Sequence, residues 1–172
     1  RLSPDSHSVM EFKSKQDTHI VEKMLRFPLL GEQRIGEWNA VLTREFHMTD
    51  DNKLFKTEPG GNRLPLFEGK MIWQFDAGYA DPRYWVDKDA AQASLRRVAA
   101  NRLKAMLKNE TGLASDALEE LVDESVIQLD CGTYRFGFRD IASSTNERAM
   151  ICSMLPPNVF AGNTINLIQP FE

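Results

Sequence analysis

Apolar and polar residues alternate with two different periods along the chain. The longest regular stretch is 89–108, DAAQASLRRVAANRLKAMLK. There Ala91, Leu95, Val98, Ala99, Leu103, Met106 and Leu107 recur at i, i+3, i+4 spacing, which predicts a helix with one buried face. Arg97, Asn101, Lys104 and Lys108 fall on the opposite face, and Gly112 is the predicted stop. A second, acidic helix is expected over 113–124, LASDALEELVDE. A short one is expected over 17–26, capped by Asp17, with Ile20, Met24 and Phe27 on one side and Pro28 ending it. Over 143–155, SSTNERAMICSML, Ser144 and Glu147 have the spacing of a capping box ahead of a helix that Pro156-Pro157 closes.

The period-2 stretches predict strands. KMIWQFD (70–76) places Met71, Trp73 and Phe75 on one face and Ile72 and Gln74 on the other. Residues 37–49 are strand-like, with Trp38, Val41 and Phe46 as candidates for burial. DDNKLF gives a turn into a short extended piece, and YWV (84–86) a further strand. Residues 125–141 suggest two strands around Gly132, and NVFAGNTINLI a turn followed by a strand. Pro, Gly and Asn mark 58–65 as a loop. The expected fold class is α+β: small mixed, largely antiparallel sheets with a few helices.

Composition narrows the function classes. The chain has 172 residues, 42% hydrophobic and 27% charged, which suits a folded domain of ordinary size. A net charge of −4 argues against a strongly basic nucleic-acid module but leaves room for a local basic face. Such a face is visible over 88–108, where Lys88, Arg96, Arg97, Arg102, Lys104 and Lys108 stand against Asp89 alone. The acids of 116–124 offer a competing explanation, a charge match between two helices. No apolar run is long enough for a membrane span. Cys131 and Cys152 lack a metal or redox spacing and are expected as buried thiols, which fits a reducing cytoplasm.

Catalytic motifs fail on inspection. Around Gly69-Lys70, Leu64 stands where a P-loop needs its first glycine, and Met71 where it needs a hydroxyl. Asp5, Glu11 and Lys13 approximate a metal-dependent nuclease pattern, but their close spacing does not suit acids on adjacent strands; a solvated charged segment is the simpler reading. In LPPN (155–158), Leu155 occupies the place of a catalytic Asn and Asn158 that of an aromatic. His7, His19 and His47 have no metal-ligand spacing. No catalytic, cofactor-binding or metal-ligating residue is expected in this chain.

Three blocks carry a resemblance: FKSKQDTHIVEKML (12–25), PLFEGKMIWQFD (65–76) and GFRDIASSTNERAMICSMLPPNVFAGNT (137–164). They resemble the C-terminal part of large bacterial N6-adenine DNA methyltransferases of fused restriction-modification and related phage-defence systems. In that family this region is a TaqI-like target-recognition domain. The resemblance runs from about residue 3 to 168 and is weakest over 87–130. It implies a piece of a longer chain, with 1–30 a linker and connecting helix from an upstream methyltransferase core and 31–172 the target-recognition domain. The starting residue, which is not Met, fits that expectation. The implied partners are double-stranded DNA and the upstream methyltransferase domain, and S-adenosylmethionine is expected for the parent rather than for this piece. The family's QFD is often followed by His-Arg; here Ala77-Gly78 follow, so any contact made by that pair differs.

The resemblance points to a set of candidate DNA-binding residues, each with a plainer alternative. Lys70 is a phosphate contact or a solvated strand-edge lysine. Arg139, Ser143, Ser144, Thr145, Asn146 and Arg148 surround an expected helix start able to hold a phosphate, or else form a cap with surface charges. Trp73, Tyr79, Tyr84 and Trp85 are aromatics near a charged loop, one of which could stack on a displaced base; the plainer reading is core, and it is preferred for Trp73. A protein-protein scaffold module of a defence complex is the rival function, and a nuclease built on Asp5, Glu11 and Lys13 a weaker one.

Overall fold

A computed structural model describes residues 12–143 and 145–171. In chain order the elements are α1 (Lys15–Met24), β1 (Asn39–Thr43), β2 (Phe55–Lys56), β3 (Arg63–Phe67), β4 (Tyr84–Asp87), α2 (Lys88–Thr111), α3 (Ser115–Leu121), β5 (Arg135–Arg139), β6 (Cys152–Leu155), β7 (Phe160–Ala161) and β8 (Ile165–Phe171). The fold is α+β, with helices and two small sheets in which antiparallel pairing prevails. The contacts divide the chain into two units, one holding the N-terminal residues up to Val41 together with the last residues from Pro170, the other Leu42–Gln169.

In the first unit, α1 is capped by Ser14 rather than Asp17. Ser14 Oγ accepts from the Asp17 N–H at 3.2 Å, and the Asp17 carboxylate accepts from the Ser14 N–H at 2.9 Å, a reciprocal capping box. Ile20, Met24 and Phe27 are exposed, and the helix buries none of its residues. Asn39 ties the following turn, accepting from the Arg34 N–H and donating to the Arg34 and Glu37 carbonyls. Trp38 is exposed.

In the second unit, one sheet runs in the order β2-β4-β3-β7, with Leu64 opposite Val86 and Pro65 opposite Trp85. The expected loop over 58–65 therefore ends in a strand. In the other sheet β5 is flanked by β6 and β8, pairing Arg135 with Leu155 and Arg139 with Ile165. Two apolar clusters form the core. One gathers Phe67, Met71, Ile72, Leu155, Ile165 and Leu167; the other gathers Phe46, Leu66, Val86, Ala91, Leu95 and Phe160. Cys131 and Cys152 are free and buried.

The long helix forms as its periodicity predicts. Asp87 caps its start by accepting from the Ala90 N–H, and Gly112 ends it at φ +69°, a left-handed conformation that glycine adopts without Cβ strain. Its buried face is shorter than the apolar stripe. Ala91, Leu95 and Ala100 are buried, while Val98, Leu103 and Met106 are exposed. On its polar face, Lys104 pairs with Glu119 of α3 at 2.5 Å, so the helix-helix charge match is realised there. Arg96 donates to the Ile127 carbonyl, and Arg97, Arg102 and Lys108 remain exposed.

Three sequence expectations are corrected. Residues 70–76 are not a strand: 69–71 form one 3-10 turn, and 73–76 a tight turn closed by hydrogen bonds between Trp73 and Asp76. Residues 125–141 hold one strand rather than two, the first part being 3-10 turns at Glu124–Val126 and Asp130–Gly132. Over 143–155 the described residues form bends and then β6, not a helix, because pairing with β5 draws Cys152–Leu155 into the sheet. Ser144 lies outside the described residues, as do Asp5 and Glu11 of the nuclease pattern. No helix among the described residues is long and apolar enough to cross a membrane.

Candidate nucleic-acid interface

The second and third blocks of the resemblance, far apart in sequence, interlock. Gly69 starts the junction. Its N–H donates to Thr164 Oγ1 at 2.8 Å, and a Cβ at this position would lie 2.8 Å from the Thr164 carbonyl oxygen. Glycine is therefore required by the close approach of two backbones. The 3-10 turn that follows puts the Ile72 carbonyl in reach of Arg139, whose Nε and Nη2 donate to it at 3.0 and 2.7 Å. Beyond it, the Phe75 N–H donates to the Cys152 carbonyl at 2.8 Å, and Gln74 Oε1 accepts from the Cys152 N–H at 3.3 Å.

These bonds position a cluster of aromatic and cationic side chains. The Arg139 guanidinium lies 4.9 Å from the Trp73 ring centroid. Trp73 stacks on Tyr79, with centroids 5.3 Å apart and planes 26° from parallel. Trp73 is half-buried, so it is neither the core residue expected nor a free surface ring. Phe75 is 81% exposed, and Tyr79 is exposed beside its stacked partner.

Lys70 does not begin a strand but sits in the middle of the 3-10 turn, half-exposed. Its Nζ is 3.5 Å from Glu68 Oε2, and Glu68 Oε1 accepts from Arg83 Nη2 at 2.8 Å. Glu68 is buried, and its Oε2 has no hydrogen-bond partner. One buried carboxylate thus holds two half-exposed cations. Arg83 also lies 4.5 Å from the Tyr84 ring centroid.

The remaining sequence candidates form a separate local turn. Ser143 Oγ and Thr145 Oγ1 are 2.7 Å apart, and the Asn146 N–H donates to the Ser143 carbonyl at 3.0 Å. Ser143, Thr145 and Arg148 are exposed, and Asn146 is half-buried. Without a helix there, the expected phosphate site at a helix N-terminus has no structural basis among the described residues. Trp73 and Arg139 are brought into direct contact, with Lys70 on the same short segment as Trp73.

Tyr79 was among the aromatics the sequence offered for stacking; Phe75 and Arg83 were not recognised as members of this cluster, and Glu68 was not recognised at all. A tight turn that reverses the chain at 73–76 has no sequence marker here, since the residue with positive φ is Phe75 rather than Gly. Sequence reasoning also missed the ion pair of Glu45 and Arg135, whose partners contact at 2.5 Å. Glu45 borders a groove of about 270 Å³ lined by Leu95, Leu103 and Met106. Burial pushes the Glu45 carboxyl up to about 7, against the opposing pull of Arg135 and the Ala161 N–H. Both its oxygens are occupied, Oε1 by Arg135 and Oε2 by the Ala161 N–H at 2.6 Å, so the pair acts as an internal brace. Among the described residues, no three His, Cys, Asp or Glu side chains converge as a metal site.

No family model matches the chain, and no curated protein or solved structure matches it.

Proposed function

We propose that the chain is the DNA-binding specificity domain of an N6-adenine DNA methyltransferase of a restriction-modification or related defence system. It binds duplex DNA and positions the target adenine for a catalytic domain elsewhere in the parent chain, which carries S-adenosylmethionine in a bacterial cytoplasm. The observation that carries this reading is the interlocking of residues 69–75 with 137–164 around Arg139, Ile72 and Gly69. The second block and the third, the most specific of the resemblance, together build a surface that offers aromatic rings beside cations. That combination suits nucleic acid: cations meet phosphates, and rings offer faces to bases.

Lys70 and Arg83 are the candidate phosphate contacts, since both are half-exposed and held in place by Glu68. Arg139 supports Trp73 and the turn through the Nε and Nη2 donors it gives to the Ile72 carbonyl. A scaffold role in a protein complex is the competing function, and it predicts binding that does not depend on a duplex. The test is duplex binding by the 172-residue chain, with salt dependence and the Lys70→Ala variant as readouts.

A further inference from the structure

Phe75 occupies a position that disfavours it. Trp73 and Asp76 exchange hydrogen bonds, Trp73 N–H to Asp76 O at 2.7 Å and Asp76 N–H to Trp73 O at 3.1 Å. Gln74 and Phe75 are therefore the two central residues of a tight turn. Phe75, at the second central place, has φ +65°, where glycine or asparagine is favoured. Its ring is 81% exposed, so packing in the fold does not offset the strain. The turn is nevertheless fastened: the Phe75 N–H and the Gln74 side chain both bond to Cys152 of β6, at the edge of the core. A strained, rigidly based, outward-facing phenyl in the turn that begins at Trp73, itself stacked on Tyr79, is a wedge with nothing among the described residues to fill.

We infer that Phe75 inserts into or stacks against a base step of duplex DNA, opening the stack where the protein docks. This deepens the DNA-binding reading and rests on it. Aromatic and apolar wedges on DNA-binding proteins unstack base steps, and base–aromatic stacking tolerates any sequence because every base presents a π-face. The fixed turn supplies the preorganisation, since the ring projects without any segment having to order on binding.

The experiment compares the wild-type chain with Phe75→Gly, Phe75→Asn and Phe75→Trp on duplexes carrying 2-aminopurine, whose fluorescence rises when its base is unstacked. Gly and Asn relieve the positive φ, so both variants are expected to fold with an unfolding temperature equal to or above wild type. They are expected to lose the 2-aminopurine rise at saturating protein, and about 5- to 150-fold in affinity. Phe75→Trp is expected to keep both. Lys70→Ala is expected to weaken binding while leaving the fluorescence rise at saturation intact. If Phe75→Gly and Phe75→Asn bind with unchanged affinity and an unchanged fluorescence rise, the wedge is overturned while DNA binding stands. If the wild-type chain binds no duplex, both fall together.

Discussion

Arg139 and Trp73 are joined through one guanidinium. Arg139 spends its Nε–H and an Nη2–H on the Ile72 carbonyl, and the same planar group faces the Trp73 ring at 4.9 Å. Arg139 thus acts as a clamp between β5 and the 69–76 segment. Arginine suits this role because its fork is flat, always charged and able to lie against an aromatic face.

Arg139→Ala is therefore expected to act on stability first. Losing a charge-assisted pair of hydrogen bonds to a carbonyl costs about 1.5–3 kcal/mol. Arg139→Lys keeps the charge but not the fork and is expected to fall between. Urea unfolding reads the difference, and a midpoint equal to wild type for Arg139→Ala contradicts the clamp. A binding defect in this variant follows from a displaced turn and is no test of a phosphate contact.

Gly69 allows a second prediction. Gly69→Ala drives a methyl group against the Thr164 carbonyl, which is backbone and cannot swing aside. Overpacking of this kind costs about 1–3 kcal/mol. Thr164→Val leaves the buried Gly69 N–H without its acceptor and is expected to cost a similar amount, about 1–3 kcal/mol, while Thr164→Ser restores the bond. Thermal unfolding of the three variants checks this, and a Val variant as stable as the Ser variant contradicts it.

Much of this arrangement was legible in the sequence, and the rest was hidden for identifiable reasons. The periodicity of 89–108 and the glycine at 112 locate α2, because a long helix declares itself locally. YWV locates β4 for a similar reason. MIWQF alternates like a strand, but the close approach of Gly69 to Thr164 fixes a 3-10 turn, and that approach is a contact between residues 95 apart. SSTNER carries a helix-start signature, yet the chain beyond it joins a sheet with β5. Glu45 and Arg135 lie 90 residues apart and give no local sign that they pair.

That buried pair makes stability depend on pH. The folded carboxyl of Glu45 is raised by burial to about 7 from a usual 4.5. Between those values the unfolded chain has released its proton and the folded chain still holds it. The Glu45 contribution is therefore fully present below about 4.5 and declines as pH rises through about 7. Glu45→Gln is expected to flatten this part of the profile. Urea midpoints across the interval, compared between wild type and variant, decide it; parallel profiles contradict the assignment.

The α2–α3 charge match is expected to matter little. Glu119 is mostly exposed at its contact with Lys104, so Glu119→Gln should change stability by no more than about 1 kcal/mol. A larger loss in chemical unfolding would mean that the pair does more than screen charge between the two helices.

DNA binding is the claim on which the rest depends, and its most direct measurement is the affinity of the 172-residue chain for duplex DNA across salt. Affinity is expected to fall linearly on logarithmic axes between about 50 and 200 mM salt, as phosphate contacts release counterions. Lys70→Ala is expected to bind more weakly and to reduce the slope by about 1, the signature of one lost phosphate contact. No duplex binding at the low end of that range, or binding indifferent to salt, contradicts the account.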